Sequence, residues 1–330
     1  MNIPFRAFRI RSEDQGYRAG IEEMQVDELS PGEVLIKVAY SSVNFKDALA
    51  GTGKGKILRQ FPLNGGIDVA GYVAASTDPA FKEGDAVLCT GSGLSETRDG
   101  GYAEYVRLES KWAIPLPVGL TLRESMIIGT AGFTAALSLY RMQQNGQTPE
   151  LGPIVVTGAT GGVGMLAIDI LSRAGYSAHA ITGKTEQFDF LIELGAQQCI
   201  ARKELFWGQR PLENAHWAGA IDNVGGDMLA GLTRVIHPYG NIAICGNAGG
   251  IELATTVMPF IIRGVSLLGI ASAGTVRSIR DDIWRHLADD WKPRHLEKIA
   301  TKETAFDELG PVFEQMLAGK SFGRTLVRIG

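Results

Sequence analysis

A chain of 330 residues, 45% of them hydrophobic, is long enough for about two domains with buried cores. Its formal net charge of −4 shows no basic excess, which argues against nucleic acid or an anionic membrane surface as a partner. Cys89, Cys199 and Cys245 lie far apart, so we predict neither a disulfide framework nor a four-cysteine zinc site. No run resembles a transmembrane helix or a signal peptide, so we expect a cytoplasmic protein with no membrane segment.

The first third of the chain alternates short apolar or β-branched runs with Gly, Pro, Asp and Ser clusters. The runs that we interpret as strands are residues 33–45, 67–76, 85–90 and 101–108. Short runs separated by turn residues are typical of all-β structure. The sequence therefore indicates a twisted, partly closed β domain in this part of the chain.

From about Leu122 the pattern changes to longer helical segments that alternate with strand-like runs. The first segment contains "ESMIIGTAGFTAAL", and the strand-like runs are 153–158, 176–182, 199–202, 217–225 and 240–249. This alternation predicts a parallel sheet covered by helices on both faces, and hence an α/β fold class. The domains that we predict are 1–122, 123–265, and a tail 266–330 that we expect to return to the first domain.

Three glycines in "VVTGATGGVG" follow a strand-like run and begin an apolar helical segment. Gly158, Gly161 and Gly164 thus have the context of a turn that binds the pyrophosphate of a dinucleotide. Small residues let the backbone approach the phosphates, and the N–H groups and dipole of the following helix stabilise their charge. Because the spacing is G-x-x-G-x-x-G, a tight turn that binds nothing is the alternative. The predicted contacts are Thr160, Gly161, Gly162 and Val163.

The stretch "ITGK" at 181–184 has no acidic residue where an NAD-dependent enzyme usually has one. A carboxylate there accepts hydrogen bonds from the free 2′-hydroxyl of the adenosine ribose and repels a 2′-phosphate. Thr182 and Lys184 suit the phosphate instead, and Arg202 after the next run can supply a second cation. The sequence therefore predicts NADPH as the cofactor. In the alternative, Lys184 is only a solvated residue in the first turn of the next helix.

The histidines give little support to metal-dependent alcohol chemistry. They form no cluster in sequence and all lie outside the predicted β domain, at His179, His216, His237, His286 and His295. We interpret them as surface or helix-end residues and not as zinc ligands. Since no nucleophile and histidine pair or paired-carboxylate motif is evident, hydrolysis is also poorly supported. Hydride transfer is therefore the reaction that best fits a nucleotide-binding protein without these motifs.

Longer motifs give the chain a family resemblance. They are "SSVNFKDALAGTGKGKILRQFPLNGGIDVAGYV", "DGGYAEYV", "MIIGTAGFTAAL", "WAGAIDNVGG", "TTVMPFIIRGVSLLGI" and "GRTLVRI". From about residue 30 to the end, the sequence resembles the zinc-independent, quinone oxidoreductase-like branch of the medium-chain dehydrogenase/reductase superfamily, which includes bacterial acryloyl-CoA reductases. The resemblance implies a GroES-like catalytic domain, a Rossmann domain, NADPH in the cleft between them, and a homodimer.

The resemblance also implies which residues form the site. "VNFKD" and "GGIDVAG" stand where zinc-dependent relatives have a Cys and a Gly-His-Glu motif, so no metal is expected. Phe45 stands where close relatives typically have a tyrosine, which weakens the case for a phenol as proton donor there. The implied cofactor contacts are Asn44, Phe45, Thr160, Gly161, Gly162, Val163, Thr182, Gly183, Lys184, Arg202, Asn247, Ile261 and Ser272.

The reaction that fits these expectations is hydride transfer from NADPH to the β-carbon of an activated alkene, with a proton added at the α-carbon. An acyl-CoA thioester such as acryloyl-CoA is the leading substrate, and a quinone or an enone is the alternative. We expect Asn44 to orient cofactor or substrate, Asp47 to hold the loop or relay a proton, and Arg324 to approach the site. An Asx turn or a helix cap is the alternative for Asn44 and Asp47.

Three further alternatives stay open at this point. One is a protein that binds NADPH without catalysis, as a redox sensor or a structural protein, and another is a metal-dependent alcohol dehydrogenase. The basic stretch "GKGKILRQ", with Lys54, Lys56 and Arg59, is a candidate for contact with CoA phosphates, and solvated loop charges are its alternative interpretation.

Overall fold

The structure is a computed structural model that describes residues 3–13 and 16–330. The chain divides into two compact units. Unit 1 comprises Met1–Thr130, Ala273–Asp282 and Leu296–Gly330, and unit 2 comprises Ala131–Ser272 and Ile283–His295. The three-part division predicted from the sequence, with boundaries after residues 122 and 265, stays a prediction.

Most elements before Leu122 are strands, whereas the later part of the chain contains both strands and helices. The strands are β1 (Pro4–Glu13), β2 (Gly16–Gln25), β3 (Val34–Ser42), β4 (Leu63–Asn64), β5 (Asp68–Ser76), β6 (Ala86–Thr90), β7 (Tyr105–Leu108), β8 (Ile114–Pro115), β9 (Ile154–Thr157), β10 (Ala178–Thr182), β11 (Ala196–Ala201), β12 (Trp217–Asp222), β13 (Ile236–Ile244), β14 (Ser266–Gly269), β15 (Lys302–Ala305) and β16 (Thr325–Arg328). The helices are α1 (Phe45–Thr52), α2 (Leu122–Gln144), α3 (Gly162–Arg173), α4 (Phe188–Glu193), α5 (Gly226–Val235), α6 (Met258–Arg263), α7 (Arg277–Ala288), α8 (Leu296–Ile299) and α9 (Leu309–Leu317). Among the described residues, no helix combines the length and apolarity needed to cross a membrane.

Unit 1 is built on a mostly antiparallel sheet with the strand order β15-β16-β3-β5-β6-β8, and β7 also pairs with β3. Alternate residues of β3, among them Val34, Ile36 and Val38, are buried in a core that also contains Phe313 of α9. β16 pairs with β3 so that Leu326 lies opposite Ser42. The segment before β16 therefore lies beside the segment that leads from β3 into α1.

Two elements of unit 1 differ from the sequence prediction. The run 33–45 ends as a strand at Ser42, and α1 begins at Phe45 because Asn44 is a favourable N-cap residue and the carboxylate of Asp47 accepts its backbone N–H. The antiparallel hairpin of β1 and β2 was also not predicted. Its strands are joined by a cross-strand ion pair between Arg11 and Glu22 at 2.8 Å.

Unit 2 contains a parallel sheet with the strand order β11-β10-β9-β12-β13-β14. The chain proceeds outward from β9 in one direction through β10 and β11, and then returns to β12 on the other side. Such a reversal of strand order creates a crevice at the carboxyl ends of the strands where ligands bind in doubly wound folds. The predicted α/β fold class with a doubly wound parallel sheet is confirmed.

Candidate active site

The turn between β9 and α3 has the backbone geometry of a phosphate-binding turn. Gly158 has a φ of 58°, a left-handed value that glycine adopts without strain. A Cβ on Gly164 would lie 2.4 Å from the carbonyl oxygen of Gly158, so only glycine lets α3 pack this close to the turn. The first N–H groups of α3 have no partner within the helix, and Gly161 at its N-cap is exposed. The turn therefore presents backbone donors and the positive end of a helix dipole to an anion.

Thr160 joins this turn to the end of β10. Its hydroxyl lies 3.1 Å from the hydroxyl of Thr182, and the backbone N–H of Lys184 donates to the same Thr182 oxygen at 3.1 Å. The structure thus brings together the two segments that the sequence analysis connected with the pyrophosphate and with the adenosine ribose.

Arg202 lies beside the glycine between Thr182 and Lys184. β10 and β11 pair in parallel with Thr182 opposite Ala201, which places the residue after β11 next to Gly183. A Cβ on Gly183 would lie 3.2 Å from a terminal guanidinium nitrogen of Arg202, which is closer than an ordinary van der Waals contact. The guanidinium group therefore lies directly beside Gly183. Two cations and a hydroxyl therefore gather at this end of the sheet, which is suited to a phosphate.

Asp222, at the end of β12, fixes the neighbouring loop and was missed as a functional residue, although the motif "AIDNVGG" contains it. Its carboxylate accepts hydrogen bonds from the Thr157 hydroxyl at 2.7 Å and from the Gly225 N–H at 2.8 Å. Burial raises the pKa of Asp222, and these hydrogen bonds oppose that shift. The carboxylate therefore ties the loop after β12 to the end of β9, directly before the phosphate-binding turn.

The remaining predicted contacts of unit 2 lie on other segments. Asn247 is exposed in the loop after β13, and its Cα lies 3.3 Å from a Cβ built on Gly225. Ile261 lies exposed on α6, and Ser272 lies in the segment after β14. Their contact with the cofactor stays a prediction.

Unit 1 contains a group of polar side chains that we call the polar cluster, all of them buried except for the partly buried Thr130: Ser42, Asn44, Asp47, Asp68, Tyr102, Thr130 and Arg324. Asp68 is its centre. The Asp68 carboxylate accepts hydrogen bonds from the Ser42 hydroxyl at 2.6 Å, the Asn44 amide at 2.8 Å, and both the hydroxyl and N–H of Thr130 at 2.5 and 3.0 Å. These donors stabilise a negative charge that burial would otherwise disfavour. Asp68 lies in the motif "GGIDVAG" but was not predicted as a site residue.

Arg324 is the cation of the polar cluster and is almost completely buried. Its guanidinium donates to the carbonyl oxygens of Ile127 and Val43, the amide oxygen of Asn44 and the hydroxyl of Ser42, at 3.0, 2.9, 3.1 and 2.6 Å. It also lies 3.8 Å from the Asp68 carboxylate. Arg324 therefore holds other side chains in place. The structure brings Arg324, Asn44 and Asp47 together in one cluster, and the predicted catalytic role of Arg324 stays a prediction.

Every hydrogen-bonding group of the Asn44 side chain is used inside the polar cluster. Its amide nitrogen donates to Asp47 at 3.1 Å and to Asp68 at 2.8 Å, and its oxygen accepts from Arg324. The Asp47 carboxylate also accepts the N–H of Asn44 and the N–H of Ile67, both at 2.9 Å. The geometry is that of the helix cap which the sequence left as an alternative, and the catalytic roles of these residues stay a prediction.

The Asp47 carboxyl group of the polar cluster has a strongly perturbed acidity. Burial, with a further contribution from the charge of Asp68, raises the pKa of Asp47 to about 7, although hydrogen bonds from Asn44 and Ile67 oppose the shift. Burial and the same two carboxylates raise the pKa of Tyr102 well above its usual value, and its hydroxyl donates to the Ser42 carbonyl at 3.0 Å. Asp47 therefore exchanges a proton near neutral pH, whereas Tyr102 stays protonated.

Gly129 allows α2 to approach the polar cluster. Its dihedral angles, φ 50° and ψ −158°, interrupt the helix. A Cβ there would lie 2.6 Å from an oxygen of Asp68 and 2.7 Å from both a nitrogen of Arg324 and the hydroxyl of Ser42. The next residue, Thr130, donates its N–H to Asp68. The close contact between this segment and the polar cluster therefore requires Gly129, the first glycine of "GTAGFTAAL". This requirement was not predicted from the sequence.

Phe45 and Lys46 lie at the exposed side of the polar cluster. Phe45, the first residue of α1, keeps 44% of its surface exposed although the adjacent Asn44 is buried. Lys46 forms an ion pair with Glu96. Among residues 3–13 and 16–330, no group of three or more His, Cys, Asp or Glu side chains has the arrangement of a metal site. The predicted lack of zinc stays a prediction.

Comparison with known proteins gives relatives that match nearly the whole chain. The chain is 42% identical over 330 residues to the putative quinone oxidoreductase YhfP of Bacillus subtilis, with 100% of both chains covered. It is 43% identical over 324 residues to the probable acrylyl-CoA reductase AcuI of Escherichia coli, with 98% of this chain and 99% of that protein covered.

Solved structures match in the same way. The yhdH oxidoreductase of Salmonella enterica, crystallised with NADP, is 42% identical with a TM-score of 0.94, over 98% of this chain and 100% of that one. The Bacillus subtilis yhfP protein, crystallised with NAD, is 42% identical with a TM-score of 0.95, over 99% and 100% of the two chains.

Two family descriptions match separate parts of the chain. They are the alcohol dehydrogenase GroES-like domain, over residues 30–118, and the zinc-binding dehydrogenase family, over residues 162–289. The predicted GroES-like domain and Rossmann domain are thereby confirmed, as is the predicted oxidoreductase class. The chain belongs to the quinone oxidoreductase-like branch of the medium-chain dehydrogenase/reductase superfamily.

Proposed function

We propose that this protein is an NADPH-dependent reductase of an α,β-unsaturated acyl-CoA thioester, with acryloyl-CoA as the leading substrate. The observation that carries the proposal is the group of Thr182, Lys184 and Arg202 beside the phosphate-binding turn. The 43% identity to AcuI of Escherichia coli supports the thioester, because that relative is named a probable acrylyl-CoA reductase.

The choice of cofactor depends on this chain's own residues, because one relative was crystallised with NADP and another with NAD. Backbone N–H groups at the start of α3 suit the pyrophosphate of either cofactor. Lys184 and Arg202 suit the additional 2′-phosphate of NADPH through charge-assisted hydrogen bonds. When bound, NADPH supplies the hydride that is added to the β-carbon of the alkene.

The polar cluster is suited to hold the Asn44 side chain and the start of α1 in a fixed position. Arg324 and Asp68 fix the Asn44 amide, and Asn44 begins α1 directly before the exposed Phe45. Asp47, whose pKa burial raises to about 7, is our candidate to relay the proton that the α-carbon receives. Asn44 and Phe45 stay our candidates for contact with the cofactor.

The experiment that tests this function is oxidation of NADPH and NADH, followed at the nicotinamide absorbance, with acryloyl-CoA and a simple quinone offered in parallel. NADPH-specific turnover of the thioester is the expected result. Turnover of the quinone alone would show that the substrate is a quinone and not the thioester. No turnover with any activated alkene would favour a binding protein without catalysis. Elemental analysis for zinc on the same sample tests the predicted lack of metal.

A quinone or enone is the second candidate substrate, and the name of one relative favours it. YhfP of Bacillus subtilis, at 42% identity over the whole chain, is called a putative quinone oxidoreductase. A quinone carries no phosphate, so its turnover would not depend on cations in unit 1.

We also propose a cytoplasmic homodimer. β14 is an edge strand of its sheet, and Val257 and Ile262 near it in sequence are 62% and 61% exposed. Exposed apolar side chains beside a sheet edge are typical of a subunit interface. A reducing compartment suits the three cysteines of the chain, which are all free thiols.

A further inference from the structure

A basic loop follows α1 on the surface of unit 1. We define the basic loop as residues 53–61, which begin at Gly53, where a φ of 70° ends α1. Lys54, Lys56 and Arg59 of this loop are all exposed. Three cations within six residues form a concentration of positive charge in a chain whose formal net charge is −4.

An exposed pair of aromatic rings borders the basic loop. The rings of Tyr17 on β2 and Phe61 at the end of the loop pack edge to face, with centroids 6.2 Å apart and an interplanar angle of 88°. Tyr17 and Phe61 are 39% and 42% exposed. A Cβ on Gly53 would lie 2.9 Å from the Tyr17 ring, so the ring covers the end of α1. Flat aromatic surfaces beside cations are suited to a purine base that carries phosphates.

The basic loop also contacts the helix face that begins at Phe45. Phe45 and Leu49 are four residues apart in α1 and therefore lie on one face. A Cβ on Gly55 would lie 3.0 Å from the Leu49 side chain, so the loop folds against this face. The eight residues of α1 span about 12 Å. The extended pantetheine arm of CoA can bridge a distance of this size.

The loop is anchored by hydrogen bonds, and one of its cations, Lys54, has an acidic neighbour. The Arg59 N–H donates to the Glu96 carbonyl at 2.8 Å, and the Gln60 side chain donates to the Thr97 carbonyl at 3.0 Å. Lys54 pairs with Glu314 at 2.8 Å, but both side chains are more than half exposed. Such exposed pairs contribute little, so a phosphate can replace the carboxylate.

We propose that the basic loop and the Tyr17–Phe61 pair bind the 3′-phosphoadenosine diphosphate end of a CoA thioester. This inference rests on the proposed function, because it assigns a binding region to the distal part of the same substrate. Lys54, Lys56 and Arg59 meet the phosphates, and the two rings meet the adenine. Arg324 is buried in the polar cluster and has no part in this region.

The kinetic test compares acryloyl-CoA with acryloyl-pantetheine, which lacks the nucleotide. In the wild type the KM for the CoA thioester is expected to be lower by about tenfold or more. In K54Q/K56Q/R59Q this advantage is lost, whereas kcat and the KM for acryloyl-pantetheine are unchanged. Phe61→Leu shows a smaller loss, and Tyr17→Phe, which keeps the ring, shows none.

Lys82→Gln is the matched control, because Lys82 is exposed and follows β5 in the chain. Asp68 of the polar cluster is the first residue of β5, so Lys82 comes after the other end of the strand. β5 has nine residues and spans about 30 Å. The control is expected to keep the full advantage of the CoA thioester. An advantage that persists in K54Q/K56Q/R59Q, or that is lost equally in Lys82→Gln, overturns the inference.

A binding measurement separates this inference from the proposed function. Calorimetric titration of the NADPH-saturated protein with free CoA needs no turnover, and the saturating cofactor blocks adenine binding in unit 2. Weakened CoA binding in K54Q/K56Q/R59Q supports the inference even if acryloyl-CoA is not reduced, in which case only the proposed function fails. Reduction of acryloyl-CoA with unchanged CoA binding in the triple variant leaves the function in place and overturns the inference.

Discussion

Lys184, at the end of a strand, is the residue that we propose to select NADPH over NADH. The residue stands where a carboxylate would repel a 2′-phosphate, and the Arg202 guanidinium lies beside the adjacent Gly183. This arrangement follows from the parallel pairing of β10 and β11, which places the ends of the two strands side by side. The proposed preference for NADPH follows from residues that the sequence shows, whereas the position of Arg202 beside Gly183 needed the structure.

Lys184→Glu is expected to weaken NADPH binding by about 1–3 kcal/mol, because a charge-assisted contact is replaced by repulsion. NADH binding should change much less. The measurement is fluorescence titration of both cofactors. Arg173→Glu is the matched control, because Arg173 is exposed at the opposite end of α3 from the phosphate-binding turn. Equal NADPH affinity in Lys184→Glu and the wild type would contradict the assignment of the 2′-phosphate.

Asp47 gives the protein a specific dependence of stability on pH. Burial raises the pKa of Asp47 in the folded protein to about 7, above the value of about 3.9 that an Asp has in an unfolded chain. The folded state therefore favours the protonated form, and the resulting stabilisation is complete below pH 4 and is lost as the pH rises to 7.

Asp47→Asn removes this titration. Between pH 4 and pH 7 the wild type is expected to lose free energy of unfolding relative to Asp47→Asn, by an amount on the order of a few kcal/mol. Urea unfolding of both proteins at a series of pH values measures the difference, and the comparison cancels the groups that titrate in both. A difference in free energy of unfolding that is constant from pH 4 to pH 7 would show that Asp47 titrates outside this pH range.

The prediction of helix α2 was correct in outline, but it did not identify the residue that is important for its contacts. Periodicity predicts the helix from Leu122, but it does not predict the interruption at Gly129, which depends on Asp68, Ser42 and Arg324. These partners are distant in sequence, so no local pattern connects them. Helix α1 was missed for a related reason, because the apolar run of β3 continues into Val43 and only the cap by Asn44 marks the change.

Gly129→Ala is expected to destabilise the protein by more than about 3 kcal/mol, because it adds steric overlap with the polar cluster to an unfavourable φ. Gly146→Ala is the matched control, since Gly146 also has a positive φ, 81°, but a Cβ there meets nothing within 4 Å. Its cost should be about 1 kcal/mol. Chemical unfolding measures both, and similar costs would show that the contact in unit 1 has little effect.

At the scale of the whole molecule, the sequence was sufficient for the class of fold and the family, because glycine spacing and strand alternation are local and repeated. The polar cluster was not predictable as a unit. Asn44, Asp47 and Arg324 were chosen separately, and their arrangement around Asp68 depends on the pairing of β16 with β3. Long-range pairing of this kind leaves no pattern in a single sequence.

The proposed homodimer is also testable at this scale. Light scattering is expected to give twice the 35.4 kDa of one chain. Val257→Glu/Ile262→Glu should give monomers, because two carboxylates would be buried in the interface. Val118→Glu is the control, since Val118 is 99% exposed in unit 1 and lies outside the proposed contact. A wild-type mass of 35.4 kDa would contradict the dimer.

The insertion of Arg324 into the polar cluster has a consequence for the order of events during synthesis. The hydrogen bond between Arg324 and Ser42 joins residues that are 282 positions apart. While a ribosome is still translating unit 2, the Asp68 carboxylate is already made but the cation that compensates it is not. We therefore expect unit 2, whose sheet is formed by one continuous stretch of chain, to reach its native fold first, and unit 1 to mature only after residue 324 has emerged.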